Sequence, residues 1–217
     1  MNKKIRNLCK VSGIAYVLAW IIGLSSGGPN LPLDATSSAI VNGFVTHKTG
    51  AIMQFLFAEG VAGLMLLTLV IAALYGLKGK SGKLSRAAKV FGISGIVACV
   101  ISFTMSAIGF VLILSAAPHG TATHAKALFD LINRLDGPKM WLLGLMAIGG
   151  VRAVSKLPKW LTLTGYALAA ALVVSGLSYG LLMQSIAWSV YISGILLLAW
   201  VCSFGIVLGS RKDKIVA

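Results

Sequence analysis

The run GAIMQFLFAEGVAGLMLLTLVIAALYGL, Gly50–Leu77, decides how the chain is read. At about 1.5 Å of rise per residue, some 20 apolar residues cross the hydrocarbon core of a bilayer, so this segment spans with residues to spare. Near its middle lies Glu59, the one acidic residue in any of the long apolar runs. With Gly50 at the hydrocarbon boundary, Glu59 falls roughly 13 Å down, near the midplane of a ~30 Å core. A carboxylate is costly there and must face other helices or water. The rest of the chain reads as the means of giving Glu59 an interior to face.

Composition agrees. Of 217 residues, 58% are hydrophobic and only 11% are charged, with a mean hydropathy of +0.92. A soluble domain of this size carries more charge, so the expectation is a single integral membrane domain over residues 1–217. The net charge of +14 sits in short basic clusters between apolar runs, a topology signal and not a nucleic-acid stripe. Cys9, Cys99 and Cys202 are far apart and form no CxxC pair, which fits small core residues. The basic N-terminus and first apolar run resemble a signal peptide, but no convincing A-x-A site follows, so an uncleaved first helix is expected.

Six runs are long enough to span: Val11–Gly27, Gly50–Leu77, Ala88–Ala116, Pro138–Val154, Leu161–Met183 and Ile186–Leu208. The fourth is the shortest and has an alternative, earlier start, with Gly137-Pro138 as a kink. Fifteen of the nineteen basic residues fall on one side: Lys3, Lys4, Arg6 and Lys10; Lys78, Lys80, Lys83, Arg86 and Lys89; Arg152, Lys156 and Lys159; Arg211, Lys212 and Lys214. Only Lys48, Lys126, Arg134 and Lys139 fall on the other. The positive-inside rule then puts both termini in the cytoplasm, and the basic inner face attracts anionic lipid. The expected fold is all-α, a bundle of six transmembrane helices with short amphipathic helices on the outer face. One of these starts with Asp34-Ala-Thr-Ser-Ser as its N-cap and turns Ile40, Val41, Phe44 and Val45 to one face. The other covers Thr121–Leu135, with Leu128, Leu131, Ile132 and Leu135 as its stripe.

The candidate site is centred on Glu59, as a proton-titrating or cation-coordinating carboxylate or a general acid; the alternative is a structural hydrogen bond to a neighbouring helix. Gln54, Ser102, Ser106 and Trp20 are its expected ligand-binding partners. Ser102 and Ser106 share a face of small residues with Gly95, Ala98 and Gly109, a pattern that also serves helix packing. An outer mouth would gather Asp34, His47, His119, His124, Asp130 and Asp136. His119 and His124 are five apart with a glycine between them, which does not stack two imidazoles, so no metal is expected. No phosphate loop, nucleophile elbow or dinucleotide fingerprint is present, and no cofactor is expected.

Three motifs carry a resemblance. Leu31-Pro-Leu-Asp34-Ala-Thr-Ser-Ser-Ala-Ile-Val-Asn42, Ala73-Leu-Tyr-Gly-Leu77 and Leu157-Pro-Lys-Trp-Leu161 are similar to segments of a bacterial multi-pass membrane family known only as a domain of unknown function. The resemblance touches the first, second and fifth spans, lacks the family's glycine before Asp34, and implies a bacterial plasma (inner) membrane setting without an activity. Three function classes follow from the residues. The first is small-molecule or lipid binding and transport at an outward-opening site around Glu59, with proton coupling open and a homo-oligomer expected because six short helices make a thin bundle. The second is an intramembrane cyclase or isomerase of an isoprenoid or lipid with Glu59 as catalytic acid, for which a second carboxylate at depth is wanted; Asp130 and Asp136 qualify only if their helix dips in. The third is a non-catalytic sensor or partner subunit. The expected partners are membrane lipids and an apolar small molecule, with no nucleic acid.

Overall fold

The computed structural model describes residues 2–78 and 82–211; Lys80, Lys212 and Lys214 of the basic set lie outside the described residues. The chain is helical, with no strand among those residues. The helices are α1 (Lys3–Ser25), α2 (Ser37–Thr46), α3 (Lys48–Gly76), α4 (Arg86–His119), α5 (Ala122–Ala153), α6 (Lys159–Gly180) and α7 (Ser189–Ser210). Five of them, α1, α3, α4, α6 and α7, are long and apolar enough to cross a membrane, the helix set of a multi-pass membrane protein. The exception, α5, is the longest uninterrupted α-helix, at 32 residues, and carries two of the five acidic residues, Asp130 and Asp136.

Start signals are local. Asn2, Thr36, Ser85 and Thr121 stand in extended backbone, and each side-chain oxygen accepts a backbone N–H of the following first turn. Thr36 therefore caps α2, and Asp34, the expected cap, is exposed in the loop before it. Ile40 and Phe44 of the expected α2 stripe are buried, whereas Val45 is exposed. A second correction concerns Thr121–Leu135. It is not a separate outer helix: it continues through Gly137 and Pro138 into the expected fourth span as one helix. Gly137 sits against the α6 backbone, where an added Cβ would come within 2.7 Å of Gly180 Cα. That packing offsets the ladder bond Pro138 cannot donate.

Successive long helices run antiparallel. Gly23 of α1 meets Ala58 of α3; Gly109 and Gly92 of α4 meet Phe55 and Leu74 of α3. Gly149 of α5 meets Phe91 of α4, Gly137 meets Gly176 and Gly180 of α6, and Ser175 of α6 bonds Ser189 and Ser193 of α7. The ring closes where α7 returns to α1, Gly205 and Gly209 lying on the Cys9 and Arg6 carbonyls. Six helices thus form a closed up-and-down ring in chain order, with α2 laid against α5. One end of the ring collects Lys3, Lys4, Arg6, Lys10, Lys78, Lys83, Arg86, Lys89, Arg152, Lys156, Lys159 and Arg211.

The interior divides into two apolar clusters. The larger, towards the basic end, is built around Phe91, Met146, Leu161, Trp200 and Phe204. The smaller, at the opposite end, holds Ile40, Phe44, Leu112, Ile113, Phe129 and Ile132. Trp200 stacks on Phe204 at 4.6 Å between ring centroids and is fully buried. The α1–α7 seam should tolerate little bulk, because a Cβ on Gly205 would stand 2.5 Å from the Cys9 carbonyl while one on Gly194 of the same helix meets nothing within 4 Å. Gly205→Leu should cost about 2–3 kcal/mol by overpacking, roughly 5–10 °C in melting temperature. Thermal unfolding in detergent should show that drop for Gly205→Leu and a change of no more than about 2 °C for Gly194→Leu.

Candidate functional site

Between the two apolar clusters lies a layer of charge. Lys139 Nζ of α5 donates to both carboxylate oxygens of Glu59 on α3, at 2.8 and 3.0 Å, and stands 2.7 Å from Asp136 Oδ1. Asp136 and Lys139 are i, i+3 on one helix and so share a face. The side chains are 6% (Lys139), 11% (Glu59) and 17% (Asp136) exposed. Two carboxylates meet one ammonium, a formal charge of −1 at ordinary ionisation. Because α3 and α5 each pack on α4 and not on one another, the Lys139 stem is what ties Glu59 across the bundle.

The local fold around Glu59 is unusual. Residues Phe55–Val61 form a wide π turn inside α3. Such turns leave backbone groups to find other partners, and here Ser106 Oγ of α4 donates to the Phe55 carbonyl at 3.1 Å. A second wide turn, Leu112–Ala116, lies just before Pro118, which has no N–H to return to the Leu114 carbonyl. Both interruptions sit in the half of the bundle away from the basic end.

A cavity of about 490 Å³ opens beside the ion set. Glu59, Asp136 and Lys139 form its polar wall together with Gln54, Asn133 and Tyr179, and Trp20, Phe55, Leu143 and Leu197 are among its apolar ones. A second pocket of about 20 Å³, between Tyr16, Trp20, Ser102 and Lys139, is large enough for one water molecule.

The expected site residues separate into three groups. Glu59, Gln54 and Trp20 line the large cavity, and Ser102 lies at the small pocket within interaction range of the Glu59 carboxyl. Ser106 is turned away, its hydroxyl given to the Phe55 carbonyl. Of the outer-mouth set only Asp136 reaches the interior. Asp34, His47, His119 and His124 are exposed, and Asp130 pairs with Lys126 at 2.9 Å one turn along α5. Among the described residues no three His, Cys, Asp or Glu side chains gather in a way that could hold a metal. Lys139, read from the sequence as an outer-side cation at the head of the fourth span, is instead buried, since α5 begins 17 residues before it. The Asp136–Lys139 spacing at the head of an apolar run was the available signal.

No protein-family model matches the chain, and no curated protein or solved structure is significantly similar to it. The site must therefore be read from its own chemistry.

Breaking a buried ion pair from one side leaves a charge without its partner and costs about 3–5 kcal/mol, whereas replacing every charge by neutral groups is often harmless. Lys139→Met should lower the melting temperature by roughly 10 °C or more, since it leaves two carboxylates facing each other. Adding Glu59→Gln and Asp136→Asn to it should recover at least half of that loss, as read by thermal unfolding in detergent.

Proposed function

We propose that the protein is a six-span plasma-membrane protein, with both termini cytoplasmic, that binds and moves a small molecule or lipid through an intramembrane site formed by Glu59, Lys139 and Asp136. The observation that carries this reading is an ion set forming one wall of a 490 Å³ cavity inside an otherwise apolar bundle. Buried ion pairs are weak stabilisers compared with apolar residues of the same size, so charges retained at a cavity wall at membrane depth point to work on a ligand. The volume falls within the range of small-molecule sites, and the mixture of apolar walls with a few converging polar groups is typical of them.

The up-and-down ring supports the topology. It gathers the basic residues of α1, α3, α4, α5, α6 and α7 at one end, which the positive-inside rule assigns to the cytoplasm. The cavity then faces the outer half of the membrane, with anionic lipid as the partner of the basic end. The outer-loop resemblance fits a bacterial inner membrane.

A second reading has one observation in its favour. Asp136 supplies the second carboxylate that intramembrane acid catalysis on an apolar substrate requires, within 2.7 Å of the lysine that Glu59 also holds. Conversion of a lipid extract by the purified protein would select it over transport.

Native mass spectrometry of protein extracted gently from its membrane should show a defined small molecule retained by wild type and lost from Glu59→Gln. Equal, empty spectra for both would remove Glu59 from any binding role. For topology, single cysteines at His119 and at Thr123 should react with a membrane-impermeant maleimide in intact cells. A cysteine at Lys156 should react only after the cells are opened; the reverse pattern would invert the bundle.

A further inference from the structure

The walls of the large cavity specify more than its size. Three charged side chains line it, Glu59, Asp136 and Lys139, and their formal sum is −1. The Lys139 side chain is the most deeply covered of the three, at 6% exposed against 11% and 17% for those of Glu59 and Asp136. Asp136 Oδ1 is itself fully buried against Lys139, so the exposed part of that side chain lies elsewhere, and Asp136 lines the cavity. The more exposed charged side chains at the cavity are thus the two acids. Six aromatic residues line the same cavity, Trp20, Phe44, Phe55, Phe129, Tyr179 and Tyr191. Aromatic faces beside a carboxylate are the surroundings that attract an ammonium or other soft cation.

The shape of the bundle supplies the route. At the basic end α1 and α7 touch backbone to backbone, through Gly13, Gly205 and Gly209. At the other end both helices line the cavity, α1 with Trp20 and Leu24 and α7 with Tyr191, Gly194 and Ile195. There Leu24, Tyr191 and Ile195 are 59%, 69% and 70% exposed, and Gly194 has nothing within 4 Å of where a Cβ would stand. The gap is apolar and faces outwards from the ring, as a passage to lipid does and a water-filled mouth does not.

We propose that the cavity binds a hydrophobic cation, an apolar body bearing an amine or a quaternary centre, which enters sideways from the bilayer through the gap between α1 and α7. This rests on the binding-site reading above and names its ligand class. The bound cation meets the exposed part of Asp136 while Lys139 keeps its contacts with Asp136 Oδ1 and Glu59, so the surplus negative charge is balanced without breaking the buried set.

Two probes of equal shape and opposite charge test it: tetraphenylphosphonium and tetraphenylborate, with the full chain in lipid nanodiscs and empty nanodiscs as background. Tetraphenylphosphonium should bind saturably and at least 10-fold tighter than tetraphenylborate. Asp136→Asn should weaken it at least 10-fold, and Gly194→Trp, which plugs the gap where there is room for it, should abolish or greatly slow binding. Gly194→Ala, with unchanged melting temperature, should bind as wild type. Equal or tighter binding of the borate, blocked by Gly194→Trp, would overturn the ligand class and leave the cavity as a site. Cation binding that needs Asp136 but ignores Gly194→Trp would overturn the lateral route. If neither probe binds above background and native mass spectra of wild type and Glu59→Gln are alike, the binding-site reading falls with it.

Discussion

The structure depends on one constraint: two carboxylates and an ammonium are held where water does not reach freely, on helices that have little other reason to meet. Helical backbone satisfies its own hydrogen bonds, so a bundle in lipid is indifferent to many rotations and pairings of its members. The Lys139–Glu59 contact is not indifferent. It joins α3 to α5 across the face of α4 and fixes both helices in height and rotation, since the Nζ must reach two oxygens of one carboxylate at 2.8 and 3.0 Å. Asp136, one turn before it on the same helix, completes the set and leaves it with one negative charge too many.

Around that layer the packing is uneven in a useful way. Towards the basic end the helices lie on one another through glycine, Gly205 on Cys9 and Gly149 on Phe91. Towards the other end the chain spends residues on irregularity: two π turns, a proline within α5, and the loop before α2, whose Leu33 N–H is tied to Gln184 Oε1 at 2.8 Å. The cavity occupies this irregular half. A tight half and a loose half, with the charged layer between, is how a thin bundle holds both a fixed frame and a space.

Much of this was legible in the sequence. The run Gly50–Leu77 became Lys48–Gly76, Glu59 did turn inwards, and the described residues of the basic clusters fall at one end. Gln54 and Trp20 line the same cavity as Glu59. The failures have physical causes. Lys139 follows Gly137-Pro138, a pair that ordinarily breaks a helix, so the lysine read as a cation at the outer boundary of a span that begins there. Nothing local reveals that Gly137 is there for contact with Gly176 and Gly180, which lets α5 run through. Once α5 is continuous, Asp136 and Lys139 move together from the mouth to the interior, while Asp130 stays with Lys126 nearer the end. Ser106 misled in another way: it shares the small-residue face of Ser102, but the π turn offers it a backbone carbonyl instead of the carboxylate.

The most direct test of the account is a charge-exchange cycle at positions 59 and 139. If the carboxyl of one helix and the ammonium of the other meet as described, Glu59→Lys and Lys139→Glu should each melt far below wild type. The doubly exchanged protein restores two acids and one base at the same place, and should recover most of the lost melting temperature. A double variant no more stable than the worse of the two single ones would show that Glu59 and Lys139 do not face each other, and the site would have to be rebuilt without the pair.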